Sequence, residues 1–186
     1  MKQPAVFLDR DGVINIDHAY VHRPEAFTFI DGVFEGARAL QQAGYRLIIV
    51  TNQSGIGRGY YSQEDFLACT EWMKAQFLSH GVSIDAVYFC PHHPLKALPA
   101  YRCECNCRKP APGMILQAAQ DWDIDLASSA IIGDKLSDVQ AGLAAGVSRR
   151  ILVGKDAQAC PPLQEPATDV ALNLFEAAQL LLKDLA

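Results

Sequence analysis

Ala5-Val6-Phe7-Leu8-Asp9-Arg10-Asp11-Gly12 is the stretch on which the reading of this chain turns. Its four apolar residues have the length and bulk of a buried strand. Side chains two apart on an extended chain leave on the same side. Asp9 and Asp11 therefore point together into the space beyond the strand's carboxyl end, where open α/β sheets hold their ligands. Two carboxylates this close repel unless a cation or a shared proton relieves them. Taken alone, the same D-x-D also describes a solvated turn; the remainder of the chain argues against that.

Outward from this strand the pattern alternates strand and helix, as in a parallel sheet covered on both faces. Val33, Ala37 and Leu40 mark a helix face closed by Gly44. Arg46 to Thr51 is a second strand. Ser62 and Asp65 form a capping box for a helix that buries Phe66, Cys69, Met73 and Phe77 and ends at Gly81. Ala86 to Phe89 is a third strand. Pro112 starts the next helix, where its missing N–H costs nothing. Ala130 to Gly133 is a short strand before Asp134, followed by a helix through Val139, Leu143 and Ala144 that stops at Gly146. Arg150 to Val153 reads as the last central strand and Gly154 to Asp169 as irregular. Asn173 with Glu176 caps a final helix burying Leu174, Ala178, Leu181 and Leu185.

At 186 residues the chain suits a single domain, 1–186, with no second run of elements long enough to cover a substrate. Half the residues are hydrophobic and a fifth charged, the balance of a soluble protein. A net charge of -5 offers no basic footprint for nucleic acid. Neither a signal peptide nor a membrane span is visible. The expectation is a cytoplasmic monomer with a small-molecule substrate and neither nucleic-acid nor membrane partner. Six cysteines without a sign of secretion do not read as disulfides. Cys69 is a core residue, and Cys160, beside two prolines, carries no readable role.

Three further polar groups stand at the ends of elements. Thr51 closes the second strand and opens Thr51-Asn52-Gln53-Ser54-Gly55, where glycines at 55, 57 and 59 let backbone amides approach an anion. Lys109, in Arg108-Lys109-Pro110-Ala111-Pro112-Gly113, lies just before a helix start and suits phosphate. Asp134 and Asp138 are four apart and share a face of an opening helical turn, although acids there are also ordinary caps. The ordered set of D-x-D, strand-terminal Thr, Lys and G-D-x-x-x-D resembles the four-part signature of the haloacid dehalogenase (HAD) superfamily of phosphotransferases. The likeness spans nearly the whole chain.

That resemblance implies a Rossmann-like three-layer α/β fold with a central, mainly parallel sheet and no large cap domain. It implies Asp9 as the nucleophile that becomes transiently phosphorylated. Asp11 would protonate the leaving oxygen and then take a proton from water. Its protonated form would be favoured by a neighbouring acid and low polarity. Mg²⁺ would be held by Asp9, the backbone carbonyl of Asp11 and Asp134, with Asp138 behind them orienting a metal-bound water or Lys135. Thr51 and Lys109 would bind the equatorial phosphoryl oxygens.

Cys90-Pro91-His92-His93 and Cys103-Glu104-Cys105-Asn106-Cys107 offer more soft ligands than the four a structural Zn²⁺ takes. Reduced thiols or a redox pair would fit the spacing too. The chain is similar to the zinc-bearing sugar and histidinol phosphatases of the superfamily, which show C-x-H followed by C-x-C-R-K-P. Aligning on Cys105-Asn106-Cys107-Arg108-Lys109-Pro110 selects Cys90, His92, Cys105 and Cys107 in a loop spanning 90–107, and leaves His93 and Cys103 spare. Within that subgroup the likeness is to phosphatases that remove the 7-phosphate of heptose 1,7-bisphosphate on the way to ADP-heptose for the lipopolysaccharide core, or to GDP-heptose, the anomer and so the pathway being left open by the sequence. It rests on Asp17 to His22, Thr51 to Ile56, Arg58-Gly59, Cys90 to Pro94, Pro112-Gly113-Met114 and Gly133-Asp134-Lys135. By the same resemblance substrate contacts fall on Asp17, His18, Ala19, Tyr20, Thr51, Asn52, Gln53, Ser54, Arg108, Lys109 and Lys135, with Arg108 suited to the second phosphate. The alternatives are a histidinol-phosphate phosphatase, a nucleic-acid 3′-phosphatase, or a zinc-stabilised binding module without activity. Val13, where threonine is common, and the extra Cys103 depart from the pattern.

Overall fold

The computed structural model describes residues 2–154 and 166–183. Cys160, Leu185 and most of the stretch expected to be irregular after Gly154 lie outside them. Among the described residues the strands are β1 (Ala5–Leu8), β2 (Arg46–Asn52), β3 (Ala86–Cys90), β4 (Ala130–Gly133), β5 (Arg149–Val153) and β6 (Asp169–Ala171). The helices are α1 (Val33–Gln42), α2 (Ser54–Gly57), α3 (Gln63–Ser79), α4 (Gly113–Asp121), α5 (Leu136–Ala145) and α6 (Leu174–Lys183). All strands pair in parallel, in the order β3-β2-β1-β4-β5-β6. The chain winds one way from β1 to β3 and the other from β4 onward, so the crevice of a doubly wound sheet opens between β1 and β4.

β1 is entirely buried because it is central. Its alternating side chains serve two cores. Val6 and Leu8 join Leu47 and Ile49 against α1, α3 and α6. Ala5 and Phe7 join Ile48 and Val50 against α4 and α5. This is the three-layer architecture expected. The capping box of α3 is formed in both directions, Ser62 with Asp65, at 3.0 Å each way. In α6, Asn173 Oδ1 accepts from Glu176 N, and the Glu176 carboxylate accepts from Leu172 N.

Three local expectations need correction. Pro112 is the N-cap of α4 and not its first residue. Leu143 and Ala144 face outward, with Leu143 50% exposed. The buried face of α5 is instead Val139, Ala141, Gly142 and Ala145. A Cβ on Gly142 would press into Ile131; α5 lies so close to β4 that side-chain size, and not hydrophobicity, selects its inner face. β6 adds an edge strand beyond β5, which the sequence reading takes as the last central strand with irregular chain through Asp169 after it. It is short and starts with an acid, and is held by the ladder to β5 and by Arg149–Asp169 at 3.0 Å. The glycine-bearing turn after β2, for which the sequence reading sets no secondary structure, is helical over Ser54–Gly57.

Candidate active site

Where β1 ends, Asp9 N–H donates to Ile132 O of β4 at 3.0 Å, setting Asp9 at the mouth of the crevice. The chain then turns back through Gly12, in the left-handed region at φ 89°. A Cβ there would also overlap the Asp134 carboxylate, so glycine meets two requirements at once. The resulting cavity, about 250 Å³, is lined by both Asp9 and Asp11, by Asp17, Ala19 and Tyr20, by Asn52, Gln53 and Ser54, and by Lys109, Lys135 and Asp138. Thr51, His18, Arg108 and Asp134 are not on its wall. Thr51 Oγ1 accepts from the wall residue Gln53 at 2.9 Å, and an Asp134 carboxylate oxygen lies within 4.8 Å of oxygens of Asp9 and Asp138. Arg108 is turned away, its Nη1 donating to His92 O at 3.2 Å.

Lys109 is buried, and an isolated ammonium in that place would cost several kcal/mol, on the order of the desolvation penalty of a buried ion. It is not isolated. Nζ lies 2.9 Å from Asp9, 2.6 Å from Asp138 and 2.7 Å from Val50 O. Burial opposes its charge, but the two carboxylates outweigh burial and hold the lysine above its ordinary range. Asn52 fixes the Lys109 backbone by exchanging hydrogen bonds with its N–H and C=O, both at 3.1 Å. Asp138 spends its second oxygen on the backbone N–H of Lys135, capping α5. It therefore orients Lys109, not the Lys135 ammonium.

Asp9, Asp134 and Asp138 bring carboxylate oxygens within 4.8 Å of one another. Burial, then repulsion from Asp9, pushes Asp134 up to about 7. Burial likewise raises Asp9, with Lys109 opposing. Asp134 Oδ1 is buried without a hydrogen-bond partner. A divalent cation would answer both the repulsion and the orphaned oxygen, so these acids fit one.

Asp11 sits in a setting other than the apolar, acid-paired one expected. Arg10 grips it through Nε at 3.2 Å and Nη2 at 3.0 Å, Asn15 Nδ2 donates at 3.0 Å, and Gln53 Nε2 donates at 3.0 Å. Every one of these is a donor, complementary to an ionised carboxylate. Arg10 is itself buried, near the rings of Phe27 and Phe66, and tied to Val21 O at 2.6 Å. Arg10, Asn15 and Tyr61 escaped the sequence reading. Only Arg10, wedged between two acids, left any signal there.

Cys90, His92, Cys105 and Cys107 form a second cluster at the end of β3. Sulfur separations of 3.1, 3.4 and 3.6 Å, with His92 Nδ1 3.4 and 3.7 Å from Cys107 and Cys90, outline a small tetrahedron. Zinc–sulfur bonds of about 2.3 Å imply edges only slightly longer, so the donors fit zinc after a small outward relaxation. Cys103 is exposed and outside the group. His93 Nδ1 instead accepts the backbone N–H groups of Leu95 and Lys96 at 3.1 and 3.0 Å.

Residues 106–177 match the family model described as "HAD-hyrolase-like". The chain is 54% identical over 153 residues, 82% of each chain, to the D-glycero-beta-D-manno-heptose-1,7-bisphosphate 7-phosphatase of Vibrio cholerae. It is equally similar, 54% over 153 residues covering 82% of this chain and 81% of the other, to the D-glycero-alpha-D-manno-heptose-1,7-bisphosphate 7-phosphatase of Burkholderia mallei. The crystal structure of D,D-heptose 1,7-bisphosphate phosphatase from B. bronchiseptica, complexed with magnesium and phosphate, superposes with a TM-score of 0.84 at 34% identity, covering 99% of both chains. With the sheet order, the acid-and-lysine site and these relatives agreeing, the chain belongs to the heptose 1,7-bisphosphate 7-phosphatase family of the HAD superfamily.

Proposed function

We propose that this protein is a Mg²⁺-dependent phosphatase that removes the 7-phosphate of D-glycero-D-manno-heptose 1,7-bisphosphate through an aspartyl-phosphate on Asp9. The observation that carries this reading is Asp9, held 2.9 Å from a buried Lys109, in a cavity whose wall also includes Asp11. A nucleophile, a cation and an acid thereby surround one phosphoryl-sized space. Asp9 attacks phosphorus in line, forming the acyl phosphate as the sugar oxygen leaves. Lys109 and the Thr51 hydroxyl receive the charge gathering on the equatorial oxygens. Asp11 is the acid and base we assign: it gives a proton to the departing oxygen once substrate has displaced at least one of the four donors now on its carboxylate, then takes one from the water that opens the acyl phosphate. Asp9, Asp134 and the backbone carbonyl of Asp11 would hold Mg²⁺, which when bound supplies positive charge that screens the nucleophile from a phosphate dianion. Lys135, on the cavity wall, is the cation we assign to the second phosphate; Arg108 could join it only by giving up its hydrogen bond to His92 O.

Cys90, His92, Cys105 and Cys107 would hold a structural Zn²⁺. Two of these ligands precede Arg108 and Lys109 directly, so closing the knot fixes both cations. The relatives bear names from both anomeric series, and a release assay with the two heptose bisphosphate anomers, histidinol phosphate, fructose 1,6-bisphosphate and a 3′-phosphorylated oligonucleotide tests the reading. Magnesium-dependent release from a heptose anomer, abolished in Asp9→Asn, is expected. A higher kcat/KM on histidinol phosphate or the oligonucleotide would overturn the substrate. Release unaffected by Asp9→Asn would overturn the mechanism.

A further inference from the structure

Gln53 is on the cavity wall but nearly fully buried, and both ends of its amide are hydrogen-bonded within the protein. Nε2 donates to Asp11 Oδ2 at 3.0 Å and to Thr51 Oγ1 at 2.9 Å. Oε1 accepts from the Tyr61 hydroxyl at 2.6 Å. One amide thus bridges the acid at the end of β1 and the threonine at the end of β2.

The two faces of a primary amide have nearly the same shape and opposite polarity. With Nε2 facing Thr51, the threonine oxygen accepts, and its own proton is left to donate elsewhere. With the amide reversed, Thr51 would donate to Oε1 and have no proton left to offer. Oε1 would also face the Asp11 carboxylate, acceptor against acceptor. The group that opposes reversal at the far end is Tyr61. Its phenol is pushed up to about 12 by burial, so the hydroxyl keeps its proton. Its ring passes so close over α2 that a Cβ on Gly55 would overlap it. On the other side it stacks on His22, with centroids 4.6 Å apart and planes 6° from parallel. The hydroxyl is therefore aimed, not free to wander.

We propose that Tyr61 is a positioning residue: its hydroxyl holds the Gln53 amide in the orientation that leaves the Thr51 proton free for the phosphoryl group and keeps Asp11 bonded to an N–H. This rests on the phosphatase reading above. Gly55 has a matching role, since only a residue without a side chain lets the ring reach Gln53.

Kinetics of the magnesium-loaded enzyme on its preferred heptose bisphosphate test the idea. Tyr61→Phe removes one oxygen and keeps the ring. We expect kcat to fall about tenfold, the loss of roughly one hydrogen bond's worth of transition-state stabilisation, with KM changed less than twofold. In a Gln53→Met background, which has no amide to orient, Tyr61→Phe should have little further effect on kcat. A purely structural tyrosine would lower the melting temperature and leave kcat per folded molecule intact. Unchanged kcat in Tyr61→Phe, or a loss that adds in full to that of Gln53→Met, overturns the proposal. Should Tyr61→Phe not fold, Gln53→Glu decides: it puts a second carboxylate against Asp11 and removes the donor, so full kcat in that variant also overturns it. Wild-type protein inactive on every phosphomonoester would instead refute the phosphatase reading itself.

Discussion

Lys109 shows how a single side chain can serve stability and chemistry together. Its ammonium is the only positive charge within contact of two buried carboxylates among the described residues, Asp9 and Asp138. Lys109→Met keeps the stem and removes the charge. Leaving buried acids uncompensated costs on the order of 3 kcal/mol, and losing a donor to a developing phosphoryl charge costs about 10²-fold or more in kcat. Thermal melts and kinetics on one preparation check both; a variant as stable and as active as wild type would show that the lysine is a bystander. Lysines in loops are ordinarily solvated charges, and nothing about position 109 in the sequence says that it is buried. That follows from Val50 O and Asn52 lying across the fold from it.

The loop between β3 and α4 buries only Ala97 among its hydrophobic side chains while Leu95 and Leu98 stay exposed, and its cysteine cluster stands where a hydrophobic core would otherwise be needed. Exhaustive chelation, or Cys105→Ser, is expected to lower the melting temperature and to raise KM more than it lowers kcat, because Arg108 and Lys109 lose their anchorage while Asp9 stays on β1. Metal analysis alongside melting and KM measurements tests this. Zinc-free protein with both values unchanged would rule out the knot. α5 gives an independent test of element packing. Gly142→Val sets two methyl groups against Ile131 and should destabilise by about 1–3 kcal/mol, the usual cost of overpacking. Asp138 rides on the first turn of α5, so kcat should fall as well. Urea unfolding with m-value unchanged and a lowered midpoint is the expected signature.

The parallel sheet gathers acids from distant parts of the chain at one crevice, and the stability of the whole molecule should register their repulsion. Asp134 is raised from 3.8 to about 7. Between those values the folded protein binds more protons than the unfolded chain. Stability without divalent metal must then fall as pH rises across the window. Magnesium binds the deprotonated cluster, so its stabilisation, which grows as RT ln(1 + [Mg²⁺]/Kd), should increase over the same range. Melting curves at pH 5, 6, 7 and 8, with and without Mg²⁺, should diverge with pH, and Asp134→Asn should flatten the metal-free slope. Parallel curves for wild type would disprove the linkage. No helix among the described residues is long and apolar enough to cross a membrane.

The alternation of apolar runs and helical faces, and the acids at strand ends, were legible because a central parallel strand must be apolar throughout and its carboxyl end must carry the polar residues. β1, β2 and β4 therefore lie where the residues predict, as do Asp9 and Asp11 on one cavity wall. β6 and the inner face of α5 were not legible, since the one depends on a ladder to a distant neighbour and the other on how closely a helix can approach the sheet. Nor could local pattern reveal that Gln53 looks inward toward Tyr61 while Arg108 turns to His92. Hydrogen-bond partners 8 or 16 positions away are chosen by geometry that exists only after the layers close. Residue type decided which groups could do chemistry; packing decided which atom of each faces which.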